Sequence, residues 1–144
     1  MSGRERRTSI GGQFAPRLIE MLESPAYRAL SLSGRRVLDR LEIELGHHGG
    51  TDNGKLPCTY DDFHDYGIHR HCIARAIRET AALGFVEVTE RGCAGNAEYR
   101  SPNLFRLTYR PAKGILVALP ARAGGIDPII AAITAHQAGA STFQ

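Results

Sequence analysis

A row of basic side chains lies on one face of a helix that the sequence predicts over residues 70–83. At 100° per residue, His71, Arg75 and Arg78 fall within about 60° of one another, opposite the apolar positions. Alanines beside this row let a helix backbone approach a partner closely, while arginine reaches the base edges or phosphates of DNA. This pattern predicts a helix that enters the major groove. Its candidate contacts are Arg70, His71, Ala74, Arg75 and Arg78.

The same row also fits the solvent-facing side of an ordinary helix. Glu79 follows on the same helix, and three aspartates precede it within residues 61–65. Ion pairs between these carboxylates and Arg75 or Arg78 would cancel the basic face. Residues 51–110 contain eight basic and eight acidic side chains, so a basic surface there requires that the charges be segregated. The sequence leaves both interpretations open.

The segment between two predicted strands, residues 90–103, contains a second group of candidate contacts. Arg91 and Arg100 flank a small, glycine-containing tip that includes Asn96. A hairpin tip of this kind can lie near the minor groove, where arginine is favoured if the groove is narrow. We therefore expect DNA contacts from Arg91, Asn96 and Arg100. The alternative is a flexible loop whose arginines meet solvent or an acidic neighbour.

The six histidines and three cysteines do not form a metal-binding pattern. His69 and His71 point about 160° apart on a helical wheel, and the i, i+4 spacing with which one helix holds a metal is missing. The cysteines are odd in number, widely spaced and without a C-x-x-C pair, which argues against a disulfide framework. Neither a nucleophile-elbow serine nor a Walker loop is present. We expect no metal, no cofactor, no small-molecule ligand and no enzymatic activity.

The predicted helices begin and end at recognisable caps and breakers. Ser24-Pro25 starts a short helix, and a longer helix follows Ser33 with an apolar face at i, i+3/i+4 spacing. Thr59-Tyr60-Asp61-Asp62 has the spacing of a capping box and opens another short helix. Gly67 ends that helix. Gly84 provides a left-handed C′ residue for the helix predicted over residues 70–83.

Three segments are predicted to be strands. Residues 55–58 can form a short edge strand, because Pro57 has no N–H to donate to a ladder. Residues 85–89 and 104–109 alternate as half-buried strands and are joined by the long loop. The resulting order is that of an α+β winged helix-turn-helix: a three-helix core with a short strand and a C-terminal β-hairpin wing. An extra N-terminal helix and a C-terminal tail are added to it.

The composition divides the chain into three parts. Residues 1–13 are a basic, glycine-containing arm, residues 14–110 form the winged-helix domain, and residues 111–144 form a tail with a short apolar helix. Ile129, Ile130 and Ile133 in the tail are a candidate dimer surface. The alternative is that this stripe packs onto its own domain.

The central segment resembles winged-helix proteins of bacteria and their mobile elements, among them phage and plasmid replication proteins and small transcriptional regulators. The resemblance lies in Tyr66–Glu79 and Ala82–Val88, preceded by a lead-in segment at Met21–Ser31, and covers about residues 14–110. It implies the winged-helix fold and DNA binding. His69 departs from the pattern, because Ser, Thr or Asp caps a helix better.

Length and composition exclude several classes of protein. The chain has 144 residues, a formal net charge of +3 and 42% hydrophobic residues, which is typical of one globular domain. No apolar run approaches the ~20 residues that span a bilayer, and no apolar stretch of a secretory signal follows the basic N-terminus. We therefore expect a cytoplasmic, nucleoid-associated protein without a membrane partner.

Together these features predict sequence-specific binding to double-stranded DNA, with a transcriptional regulator as the first interpretation. A single winged helix of ~90 residues offers little interface, so we expect a homodimer or a partner DNA-binding protein. One alternative is a replication or recombination accessory factor of a plasmid, phage or integrative element. Another is a protein-interaction winged helix that does not bind DNA.

Overall fold

The computed structural model describes residues 11–95 and 100–112, and within them the chain forms five helices and three strands. The helices are α1 (Ile19–Glu23), α2 (Pro25–Ala29), α3 (Leu32–His47), α4 (Tyr60–Asp65) and α5 (Arg70–Ala82). The strands are β1 (Leu56–Cys58), β2 (Val86–Glu90) and β3 (Asn103–Leu107). The α+β class is therefore confirmed. No helix in these described residues is long and apolar enough to cross a membrane.

Some of the predictions concern residues outside the described ranges. These are the first ten residues of the arm, the tail beyond Ala112 with its isoleucine stripe at 129–133, and Asn96 in the predicted wing. The division of the chain at residues 13 and 110 stays a prediction.

Helices α2 and α3 both start at serine caps. Ser24 Oγ accepts a hydrogen bond from the Tyr27 N–H, and Pro25 follows at the first helical position, as its fixed φ favours. The cap of α3 is Ser31 rather than the expected Ser33, and its Oγ accepts from the Gly34 N–H at 3.0 Å. A helix that begins two residues earlier presents Ser31 to Glu79 of α5.

α4 and α5 form a short helical hairpin whose ends agree with the sequence. Thr59 and Asp62 make the predicted capping box, with the Thr59 N–H donating to Asp62 Oδ2 at 2.8 Å. Gly67 (φ 98°) makes the turn between the two helices, and Gly84 (φ 84°) follows the end of α5. Both glycines hold a left-handed conformation that other residues adopt only at a cost.

The strands form an antiparallel sheet in the order β1-β3-β2, so β1 is the edge strand expected from Pro57. Leu56 lies opposite Phe105, and Val86 lies opposite Leu107. This order brings the first and last strands of the domain together. The loop between β2 and β3 lies beside the N-terminal ends of α4 and α5.

One core joins the helices to the sheet. Phe63 of α4 meets Phe105 of β3 edge to face, with ring centroids 5.8 Å apart. The predicted apolar positions of α3 are all buried: Val37, Leu38, Leu41 and Leu45. In α1 only Met21 is buried, whereas Ile19 and the preceding Leu18 are more than half exposed.

Two polar residues outside the apolar pattern hold the end of the sheet to α3. Asn53 is buried, and its amide group both donates to the Leu107 carbonyl and accepts from the Leu107 N–H, each at 2.8 Å. His48 lies between two carboxylates, with Nδ1 3.0 Å from Asp52 and Nε2 3.2 Å from Glu44. Hydrogen bonding to Asp52, and to Glu44, raises the pKa of His48 above its ordinary value.

Candidate nucleic-acid interface

The exposed face of α5 is determined by what the opposite face buries. Ile73, Ala76 and Ile77 pack into the core as predicted. Thr80, which the apolar pattern did not include, is also fully buried. Its hydroxyl can be buried because it donates a hydrogen bond to the Ile77 carbonyl at 2.9 Å. A helix buried on this side must turn its other side outwards. The exposed residues of that side include His71, Arg75, Arg78, Ala81 and Ala82, with Ala74 half-buried beside them.

The acidic residue on α5 does not neutralise this face. Glu79 reaches the start of α3, where its Oε1 accepts the Ser31 N–H at 2.6 Å and its Oε2 accepts the Ser31 hydroxyl at 2.6 Å. In the described part of the chain, neither Arg75 nor Arg78 forms a salt bridge. Two guanidinium groups on one exposed helical face are therefore left available for an external partner.

Arg70, at the first position of α5, has a different environment. Its Nη2 lies 2.8 Å from Oδ1 of Asp61 on α4. This hydrogen bond and the charge of Arg70, with a smaller contribution from Arg100, hold the pKa of Asp61 below its ordinary value. Arg70 is thus a predicted contact whose charge is already paired within the molecule.

The base of the loop between β2 and β3 is ordered by backbone contacts. The Gly92 N–H donates to Oδ1 of Asn103 at 2.7 Å, and the Cys93 N–H donates to the Ser101 hydroxyl at 3.0 Å. A Cβ on Gly92 would overlap the Ser101 carbonyl oxygen and lie 2.7 Å from the Pro102 carbonyl carbon. The two sides of the loop can approach each other this closely because residue 92 is a glycine.

The loop and the helices enclose a groove of about 600 Å³. Arg100 lies on its loop side, Arg70 and Asp61 lie on its helix side, and Thr59 and Tyr60 also line it. Arg91 and Arg100 are both exposed. Sequence reasoning assigned no role to Asp61 in the groove, because the contact depends on how α4 and α5 pack.

The histidines require a correction. The rings of His69 and His71 lie 3.9 Å apart, centroid to centroid, and do not point in opposite directions. The helical wheel fails because His69 is the N-cap, with an extended backbone (φ −62°, ψ 136°), and does not belong to the helix. Among the described residues, no group of three or more His, Cys, Asp or Glu side chains is arranged to hold a metal ion.

A second cleft of about 430 Å³ lies between α3 and the segment before α1. There Arg17 Nη2 lies 2.5 Å from Asp39, and the buried Glu42 lies 3.6 Å from Nε of Arg110. Glu42 borders the apolar stripe of α3 and is only 6% exposed. These ion pairs hold both ends of the described domain to α3. The sequence carried no signal for them, because the partners are far apart along the chain.

Comparison of the chain with protein-family models, with curated proteins and with solved structures found no match.

Proposed function

We propose that this chain is a winged-helix protein that binds double-stranded DNA, with α5 in the major groove. The observation that carries the proposal is the exposed face of α5, where Arg75 and Arg78 have no ion pair within the described residues while Glu79 is engaged at α3. Arginine is the side chain best suited to bidentate contacts with guanine and with phosphate.

The arrangement of the elements supports the winged-helix part of the proposal. The order α3, β1, α4, α5, β2, β3 and the sheet order β1-β3-β2 agree with a three-helix core that carries a β-hairpin wing. The turn at Gly67 connects α4 to α5, which then takes the place of a recognition helix. The loop between β2 and β3 would act as the wing, with Arg91 and Arg100 facing the DNA backbone or minor groove.

The small side chains on α5 support close docking. Ala74, Ala81 and Ala82 are neighbours of Arg75 and Arg78 on the outward side, and none of them would hold the backbone away from a groove. Arg75 is near the middle of α5, so its guanidinium would reach base edges when the helix axis lies in the groove.

Within this proposal, the biological role we favour is regulation of transcription. Specific binding by one small domain is weak, so the protein would act as a homodimer or beside a partner DNA-binding protein. Single sites at promoters would support the regulator, and repeated sites at an origin or attachment region would support a replication or recombination factor instead.

A binding selection from genomic fragments tests the function directly. Purified wild-type protein is compared with the Arg75→Glu/Arg78→Glu double variant at two salt concentrations. We expect enrichment of a discrete motif that the double variant loses. Arg28→Glu is the control for charge reversal, because Arg28 is also exposed but lies on α2 rather than on α5.

Two results would contradict the proposal. The first is that the wild-type protein enriches no motif, and the second is that binding is indifferent to the α5 substitutions. Either result would make the basic row a solvated face and would favour the protein-interaction module.

If a motif is enriched, fluorescence anisotropy on that motif distinguishes the contacts made by Arg75 from those made by Arg78. Loss of a base contact costs ~1–3 kcal/mol at one base pair, whereas loss of a phosphate contact weakens all sequences and lowers the salt slope by about one.

A further inference from the structure

Asp61 lies on the surface that we propose for DNA, although a carboxylate repels phosphate. Its Oδ1 is 2.8 Å from Nη2 of Arg70, and the side chains of both residues are more than half exposed (65% and 57%). Both residues line the groove between the helices and the loop, and Arg100 lines it from the other side. Asp61 therefore places a negative charge in the groove between Arg70 and Arg100, two of the arginines expected to contact DNA.

The Asp61–Arg70 pair contributes little to the stability of the fold. Asp62, rather than Asp61, closes the capping box with Thr59. An exposed arginine–carboxylate pair contributes little to folding, because water screens the charges and two long side chains must be held still. The main consequence of the Asp61–Arg70 pair is electrostatic, since it cancels the charge of Arg70 within the groove.

We propose that Asp61 limits the affinity for DNA by holding Arg70 in an ion pair, so that Arg70 makes no phosphate contact. This inference rests on the proposed DNA-binding function and adds a residue that sets its strength. When DNA enters the groove, Arg70 stays paired with Asp61 and contributes no counterion release. The sequence-independent attraction is therefore weaker than the arginines alone would provide.

Removing the charge of Asp61 should therefore strengthen DNA binding. For Asp61→Asn we expect the dissociation constant on a short duplex of random sequence to fall about three- to tenfold at low salt, as one more basic side chain becomes free for phosphate. The slope of log K against log salt should steepen by about 0.9, the value of one additional phosphate contact.

A double-mutant cycle identifies Arg70 as the residue through which Asp61 acts. Arg70→Ala should change the affinity and the salt slope little in the wild-type background and much more in the Asp61→Asn background. Asp65→Asn is the matched control, because Asp65 is an exposed carboxylate of the same helix that forms no salt bridge within the described residues. It should leave the salt slope unchanged.

Every variant is first checked by its melting temperature, and Asp61→Ser is measured beside Asp61→Asn so that the result does not depend on one replacement. Equal effects of Arg70→Ala in the two backgrounds would overturn the inference while leaving the proposed function intact. It would also be overturned if Asp61→Asn weakened binding at one particular base pair, since the carboxylate would then read a base. Failure of the wild-type protein to bind any DNA would refute the proposed function, and this inference with it.

Discussion

Replacement of Glu79 tests how the charges on α5 are distributed. The Glu79 carboxylate accepts both the N–H and the hydroxyl of Ser31 at 2.6 Å, and the same hydroxyl accepts from the Gly34 N–H. Glu79 is therefore a tertiary cap for α3, contributed by a residue 48 positions away. Its loss should act on the stability of the domain rather than on the charge of the arginines beside it.

The magnitude follows from the two hydrogen bonds. Each hydrogen bond to a charged group contributes about 1.5–3 kcal/mol when buried, but Ser31 is exposed, so we take less than the full sum. We expect Glu79→Ala to lower the free energy of unfolding by about 2 kcal/mol, and Glu79→Gln, which keeps one acceptor, by about 1 kcal/mol. For a domain of this size, 2 kcal/mol corresponds to a fall in melting temperature of roughly 10 °C.

The assay is urea unfolding of the full chain, followed by circular dichroism, for Glu79→Ala, Ser31→Ala and the double variant. The two substitutions should be coupled by about 1 kcal/mol, because each removes the partner of the other. Glu23→Gln, an exposed carboxylate on α1, is the control and should leave stability unchanged within ~0.5 kcal/mol. An unchanged unfolding free energy in Glu79→Ala, together with tighter DNA binding, would refute this reasoning and show that Glu79 neutralises α5.

Three further predictions concern the base of the loop and the stability of the fold. Gly92→Ala should disturb the base of the loop, because the new methyl group overlaps the Ser101 carbonyl; faster amide exchange confined to that loop, with weaker DNA binding, would show it. Asn53→Ala should destabilise the fold by about 2–3 kcal/mol in urea unfolding, since buried backbone groups at the end of β3 lose their partners. His48, whose pKa is raised by Asp52, should stabilise the fold below about pH 6.5, the ordinary value, and lose this contribution as the pH rises through its folded-state pKa. His48→Gln should flatten that dependence in melting experiments, and a wild-type profile already flat over the same range would contradict it.

Local chemistry explains why much of the fold could be predicted. A serine before a proline, a capping box at Thr59 and a glycine after the last turn of α5 each act within four or five residues, so their consequences can be read along the chain. The edge position of β1 followed from one missing N–H at Pro57. The exposed basic side of α5 followed from the period of its apolar residues.

The remaining features depend on packing and leave no local signal. Glu79 finds Ser31 only after α3 and α5 meet, and Asp61 finds Arg70 only after the turn at Gly67 sets the angle of two helices. The same limit explains the histidine error: a wheel assumes helical geometry, and His69 lies one residue outside the helix. Contacts between distant segments change the charge pattern of a surface without changing the sequence pattern that predicts it.

Packing also explains how residues 51–110 can carry no net charge and still present a basic face on α5. Asp62 is engaged at the start of α4, Glu87 lies 2.6 Å from Arg106 on the sheet, and Glu79 caps α3. Each of these three carboxylates is held by a partner that lies off the outward face of α5. They therefore do not neutralise the arginines of that face. Because the block as a whole carries no net charge, its long-range attraction to a polyanion is weak. Under the proposed function, short-range contacts within about a Debye length would supply the binding energy, and DNA sites would be distinguished by the fit of α5 in the groove rather than by bulk charge. For this reason we expect the single carboxylate of Asp61, paired with Arg70, to have a measurable effect on DNA affinity.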